Sequence, residues 1–140
     1  MASINGIAHI QLTVSDMTRS MAFYEPLLHS LEMVTLIRSP EYFYCIGGRT
    51  GIAITPMAEE FRGQLFDQRR TGLHHLCLRA RSRADVDEIH HTALALGAKI
   101  VRAPQEGAWA PGYYSVLFED PDGMRIEANF VPGKGHLDAK

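Results

Sequence analysis

Residues 72–80, GLHHLCLRA, decide the architecture once they are set beside residues 8–14, AHIQLTV. Aligned so that His75 falls on His9, both stretches alternate apolar and polar residues, the period-2 signature of a strand with one buried face. Each is followed by a capped helical stretch. Asp16 or Ser15 opens the first, in which Met17, Met21, Tyr24, Leu28 and Leu31 recur at helical spacing. Pro26 lies inside this run and predicts a kink or an early end there. Ser82 opens the second, with Asp85 three residues on as in a capping box. Val86, Ile89, His90, Ala93 and Leu94 fill one face of that helix, and Gly97 follows its last turn.

Three short strands follow each helix: 33–39, 41–47 and 51–55, then 98–104, 113–119 and 123–130. The last two are joined by the tight turn DPDG at 120–123. GIAIT at 51–55 aligns with GMRIE at 123–127, which sets Thr55 on Glu127. The order β-α-β-β-β thus occurs twice. Such a repeat predicts an α+β protein of two βαβββ modules rather than one doubly wound sheet. The whole chain, 1–140, is expected to form a single domain. Module one covers 6–56, a connector with a helical turn 57–71, module two 72–131, and a tail without fixed structure 132–140.

Composition sets the class. With 140 residues, 46% hydrophobic and 21% charged, the chain suits one packed domain. A formal net charge of -2 without a basic stripe argues against nucleic acid and anionic membranes as partners. No apolar run is long enough to span a bilayer, and the N-terminus lacks the pattern of a secretion signal. Two cysteines, Cys45 and Cys77, are too few for a disulfide scaffold and read as reduced thiols of a cytoplasmic protein.

Alternation sorts the strand faces. Ala8, Ile10, Leu12 and Val14 share one face of the first strand, and His9, Gln11 and Thr13 the other. In the fifth, Leu76, Leu78 and Ala80 oppose His75, Cys77 and Arg79; in the last, Met124, Ile126, Ala128 and Phe130 oppose Arg125, Glu127 and Asn129. The polar faces therefore collect His9, His75 and Glu127. Two imidazoles and a carboxylate suit a divalent transition metal, and three protein ligands leave coordination positions open for chemistry. The same residues also describe a solvated sheet face.

Gln11, Cys77, Arg79, Arg125 and Asn129 share these faces and are expected to contact substrate, as is Thr55. Tyr113 is a candidate proton donor. Trp109, in the loop at 105–112, is read either as a lid or as a packing anchor. His74 is expected on the apolar side, partly buried and without a chemical role. His29, near a helix end, is placed to meet free carbonyls.

IAHIQLTVSDMTRSMAFYEPLL, GLHHLCLRA and GYYSVLFEDPDGMRIE resemble the opening strand and helix, the second opening strand and the closing hairpin of the vicinal oxygen chelate superfamily. That superfamily includes glyoxalase I, extradiol dioxygenases, and fosfomycin- and bleomycin-resistance proteins. The resemblance covers residues 6 to about 131. It implies a cup-shaped mixed sheet of the glyoxalase-like type around one divalent metal (Fe, Mn, Ni, Zn or Co), held by His9, His75 and Glu127, a small-molecule substrate with vicinal oxygens, and a homodimer. Glyoxalase I carries a fourth carboxylate ligand where Thr55 aligns. Its replacement favours extradiol-dioxygenase-like chemistry over a lyase, isomerase or fosfomycin-type transferase. The rival from another class is a metal-free binding protein of the bleomycin-resistance kind.

Overall fold

The computed structural model describes residues 1–139; Lys140, the end of the expected tail, lies outside the described residues. The elements run β1 (His9–Val14), α1 (Met17–Ser30), β2 (Val34–Arg38), β3 (Phe43–Gly47), β4 (Thr50–Pro56), a 3-10 turn (Glu59–Phe61), β5 (Leu76–Arg79), α2 (Arg83–Ala95), β6 (Lys99–Glu106), β7 (Tyr114–Glu119), β8 (Arg125–Phe130) and a 3-10 turn (Gly135–Ala139). The chain divides into two compact units, Met1–Leu65 and Phe66 onward. Each contains one βαβββ module. Their four-stranded mixed sheets are ordered β1-β4-β3-β2 and β5-β8-β7-β6. The α+β repeat read from the sequence is therefore the architecture of both units.

In the first unit β1 pairs in parallel with β4, because α1 carries the chain back to the starting end of the sheet before three antiparallel passes return it. Leu12, Val14, Phe43, Cys45, Ile52 and Ile54 form the buried face, and α1 covers it with Phe23, Tyr24, Leu27 and Leu28. His9, Gln11 and Thr13 are exposed on the other face. Asp16 caps α1 by accepting from the Arg19 amide at 2.9 Å.

The helix passes through Pro26 and ends only after Ser30, against the expected early end. Pro26 and Ala22, whose carbonyl loses its partner, both face solvent, so water can serve that oxygen. Beyond the proline, Leu27 and Leu28 are buried to 1% and 2% exposure. Their burial contributes roughly 3–6 kcal/mol, which exceeds the ~3 kcal/mol an interior proline costs. His29 meets the Thr35 hydroxyl at 2.8 Å rather than a helix-end carbonyl.

The second unit repeats the plan. The Ser82 hydroxyl accepts from the Asp85 amide at 3.1 Å and donates to the Asp85 carboxylate at 2.8 Å, closing the cap. Val86, Ile89 and Ala93 are buried. Leu94 is 49% exposed, not part of the packed stripe, since it sits a third of a turn beyond Ala93. Gly97, at φ 76°, closes the helix, and the Ala98 amide reaches the Ala93 carbonyl at 2.9 Å.

β6 runs two residues past its expected end, pairing Glu106 with Tyr114. It is an edge strand, which is why Pro104 is tolerated in it. In the turn at 120–123 the buried Asp120 carboxylate accepts from the amides of Asp122 and Met124. The tail forms a 3-10 turn where no structure was expected, because the His136 imidazole meets the Trp109 carbonyl at 2.6 Å and the Lys134 amide donates to Asp138. Among the described residues no helix is long and apolar enough to cross a membrane. Both cysteines are free thiols.

Candidate metal and acid-base site

The candidate site is built on β8, a strand flanked on both sides. Its register aligns Cys77, Glu127, Leu117 and Arg102 in one row across all four strands of the second sheet, so these side chains share the face turned away from α2. Neighbouring strands leave Glu127 only 7% exposed although it lies on the open face. A buried carboxylate must be paired, and every oxygen of Glu127 is. Oε2 lies 3.0 Å from His75 Nε2. Oε1 accepts the Tyr113 hydroxyl hydrogen bond and lies 3.6 Å from the Arg102 guanidinium. Arg102 in turn donates to the buried Ser115 hydroxyl at 2.9 Å.

Arg102 is the member that sequence reading missed. Simple alternation from Ile100, which pairs with Phe118 on the buried face, puts Arg102 on that same apolar face. A register shift between them re-aims it: Arg102 pairs with Leu117, on the face of Glu127. Bulges commonly turn a side chain in this way. The only sequence signal is one basic residue between Val101 and Ala103 in an edge strand.

The histidine pair also differs from expectation. The strand predicted over 72–80 occupies only 76–79, so alternation does not govern residues 74 and 75. His74 is exposed rather than tucked with Leu76 and Leu78, and its Nδ1 lies 2.8 Å from His75 Nδ1. The two rings are nearly perpendicular, at 78° with centroids 5.0 Å apart.

Two groups here hold their protons firmly. Burial, followed by the Glu127 carboxylate, pushes the Cys77 thiol up to about 12. Tyr113 is likewise raised, first by burial and then by its bond to Glu127, with Asn129 opposing. Asn129 borders the site, registered with both Arg79 and Ser115.

Other expected members stand elsewhere. Arg125 turns its guanidinium to Glu119, 3.6 Å away, because register sets those two residues opposite each other. Glu119 also takes Lys99 at 3.3 Å. Arg79 is exposed on the rim of β5. Trp109 is 76% exposed, so it does not anchor its loop by packing. His9, Gln11 and Thr55 belong to the first unit, on the exposed face of β1 and on β4.

Register corrects the alignment of Thr55 with Glu127. Glu127 stands opposite Cys77, whose counterpart Gln11 stands opposite Ala53. The first-unit equivalent of Glu127 is therefore Ala53, fully buried and without a donor atom. Thr55 stands opposite Thr13.

The donors present fit a divalent metal in part. Two donors each about 2.1 Å from one ion at a right angle are about 3.0 Å apart, and His75 Nε2 and Glu127 Oε2 have that separation. Among the described residues no cluster of three His, Cys, Asp or Glu side chains stands ready as a complete cage.

A model of the glyoxalase/bleomycin resistance protein/dioxygenase superfamily matches residues 6–128. The chain belongs to this superfamily. Its β-α-β-β-β repeat and the closing hairpin that carries Glu127 fall within or across the matched region. It is similar to the uncharacterized protein YqjT of Bacillus subtilis (strain 168), with 29% identity over 85% of this chain and 94% of that one. Among solved structures, a candidate glyoxalase from Bacillus halodurans shares 28% identity at a TM-score of 0.80, covering 91% of this chain and 96% of its own. Lactoylglutathione lyase from Agrobacterium tumefaciens shares the superfamily fold at a TM-score of 0.66 and 21% identity, over 92% of this chain and 96% of that one.

Proposed function

We propose that the protein is a divalent-metal-dependent enzyme acting on a small molecule with vicinal oxygens. The observation that carries this reading is the 3.0 Å approach of His75 Nε2 to Glu127 Oε2 on an open sheet face, with Tyr113 on the other carboxylate oxygen. His75 and Glu127 are the donors; His9 is assigned as the third by the internal repeat and the family resemblance. A metal here supplies Lewis acidity toward vicinal substrate oxygens. Fe, Mn, Ni, Zn and Co all suit imidazole and carboxylate donors. Arg102 and Tyr113 hold the Glu127 carboxylate in one orientation, leaving Oε2 aimed at His75. Tyr113, protonated by its surroundings, is the proton donor to substrate oxygen. The absence of a carboxylate at both Ala53 and Thr55 favours extradiol-dioxygenase-like chemistry over four-ligand lyase chemistry. A cytoplasmic homodimer is part of this proposal.

A second reading has its own observation. Both Glu127 oxygens are already satisfied by His75, Tyr113 and Arg102, so the network is closed without an ion. That arrangement suits a metal-free binding protein. Metal analysis of freshly purified protein, followed by titration with Fe(II), Mn(II), Co(II), Ni(II) and Zn(II), separates the two. Stoichiometric binding of any of them supports the enzyme; none binding overturns it. Oxygen uptake with catechols, against loss of a hemithioacetal without oxygen uptake, then separates dioxygenase from lyase.

A further inference from the structure

We propose that His74 is the positioning residue for His75. It holds the ring through which His75 presents Nε2 and gives or takes the Nδ1 proton as the Nε2 partner requires, an inference that rests on the reading of His75 as a metal donor. The need arises from the backbone. His75 lies one residue before β5, outside the strand ladder, and is preceded by Gly72 at φ 142° and by the exposed Leu73. No strand pairing restrains its side chain, whereas Glu127 is locked between two strands. The imidazole is instead held at its two nitrogens: Nε2 toward Glu127 at 3.0 Å and Nδ1 toward His74 Nδ1 at 2.8 Å. The near-perpendicular rings make this an edge contact directed nitrogen to nitrogen, not a stack.

Two neutral imidazoles meeting through their Nδ1 atoms share one donor between them: one ring carries its proton on Nδ1, the other on Nε2. A ring that offers Nε2 to an ion must carry its proton on Nδ1. Without an ion, His75 Nε2 carries the proton toward the Glu127 carboxylate and Nδ1 accepts from His74 Nδ1; with an ion on Nε2, the proton sits on His75 Nδ1 and His74 Nδ1 accepts it, so His74 serves the ring in either state. His74 thus does for His75 what a carboxylate or backbone carbonyl does for other metal-binding histidines, and loss of such partners typically weakens metal binding 10–100-fold.

The test uses Co(II) alone, read by its visible absorption and by titration calorimetry, with the wild type, His74→Ala, His74→Phe and His74→Asn. Phe keeps the ring and removes both nitrogens; Asn restores a polar atom near the position of Nδ1. The expected result is about 10- to 100-fold weaker Co(II) binding in Ala and Phe, an altered visible band, recovery of most of the affinity in Asn, and unchanged thermal midpoints throughout, since His74 is exposed. Wild-type affinity in both Ala and Phe overturns the role of His74 while leaving the metal reading standing. A wild type that binds no Co(II) overturns the metal reading and this inference with it.

Discussion

His75 and Glu127 meet at 3.0 Å from unlike backbones, one just outside a strand and one in the middle of a sheet. The carboxylate is the fixed partner and the imidazole the adjustable one. Glu127→Gln keeps the shape and removes the charge, so metal affinity falls by at least about 100-fold while the fold persists. His75→Ala gives a comparable loss. Titration with Mn(II) or Co(II) reads both; a Gln variant that binds metal like the wild type sinks Glu127 as a donor.

Arg102 bridges Glu127 and the fully buried Ser115. Arg102→Met leaves both without that partner and costs about 1–3 kcal/mol of stability. Arg102→Lys costs less, because it retains a charge but not the fork of donors. Urea unfolding measures both; an Arg102→Met protein as stable as the wild type contradicts the bridge.

Tyr113→Phe removes the hydroxyl that Glu127 Oε1 accepts. Metal affinity falls by no more than about 10- to 100-fold, since the donor atoms remain but the carboxylate loses a partner that orients it. Turnover, once a substrate is in hand, falls by about 10²–10⁴-fold. Unchanged turnover removes Tyr113 from the acid-base role.

The two cysteines give the pH prediction. Burial raises Cys45 above its ordinary 9.0. A raised value means the folded state holds the proton more tightly. Its contribution to stability is therefore complete below about pH 9 and declines as pH rises through the raised value. Urea unfolding between neutral pH and about pH 10 is expected to show a steeper decline for the wild type than for Cys45→Ala. Cys77 reaches solvent along part of its surface, but desolvation of its thiol together with the Glu127 carboxylate keeps it protonated near neutral pH, so iodoacetamide modifies the native protein slowly at either position. Rapid alkylation of Cys77 at neutral pH contradicts its raised value.

Both caps, both helices and the repeat were legible, because Ser82 with Asp85 and Asp16 before an apolar stripe are local signals. The face carrying Glu127 was legible too, since period-2 alternation is reliable inside a strand. What escaped depended on where a strand begins or slips. His74 stands two residues before β5 starts, where alternation no longer governs, so its contact with His75 has no signal in the sequence pattern. The shift after Ile100 turned Arg102 to the other face, which no local pattern announces. Sequence similarity aligns Thr55 with Glu127, whereas hydrogen-bond register identifies Ala53 as the counterpart. Pro26 misled because its local cost is outweighed by two leucines buried after it.

Trp109 is the only tryptophan in the chain, and it projects 76% exposed from a loop whose backbone carbonyl is held by His136. Its intrinsic fluorescence therefore reports on one address. In water the emission is red-shifted, and any molecule that settles over the indole moves it to the blue. The protein thus carries one built-in optical reporter, which reads what meets this loop without a label.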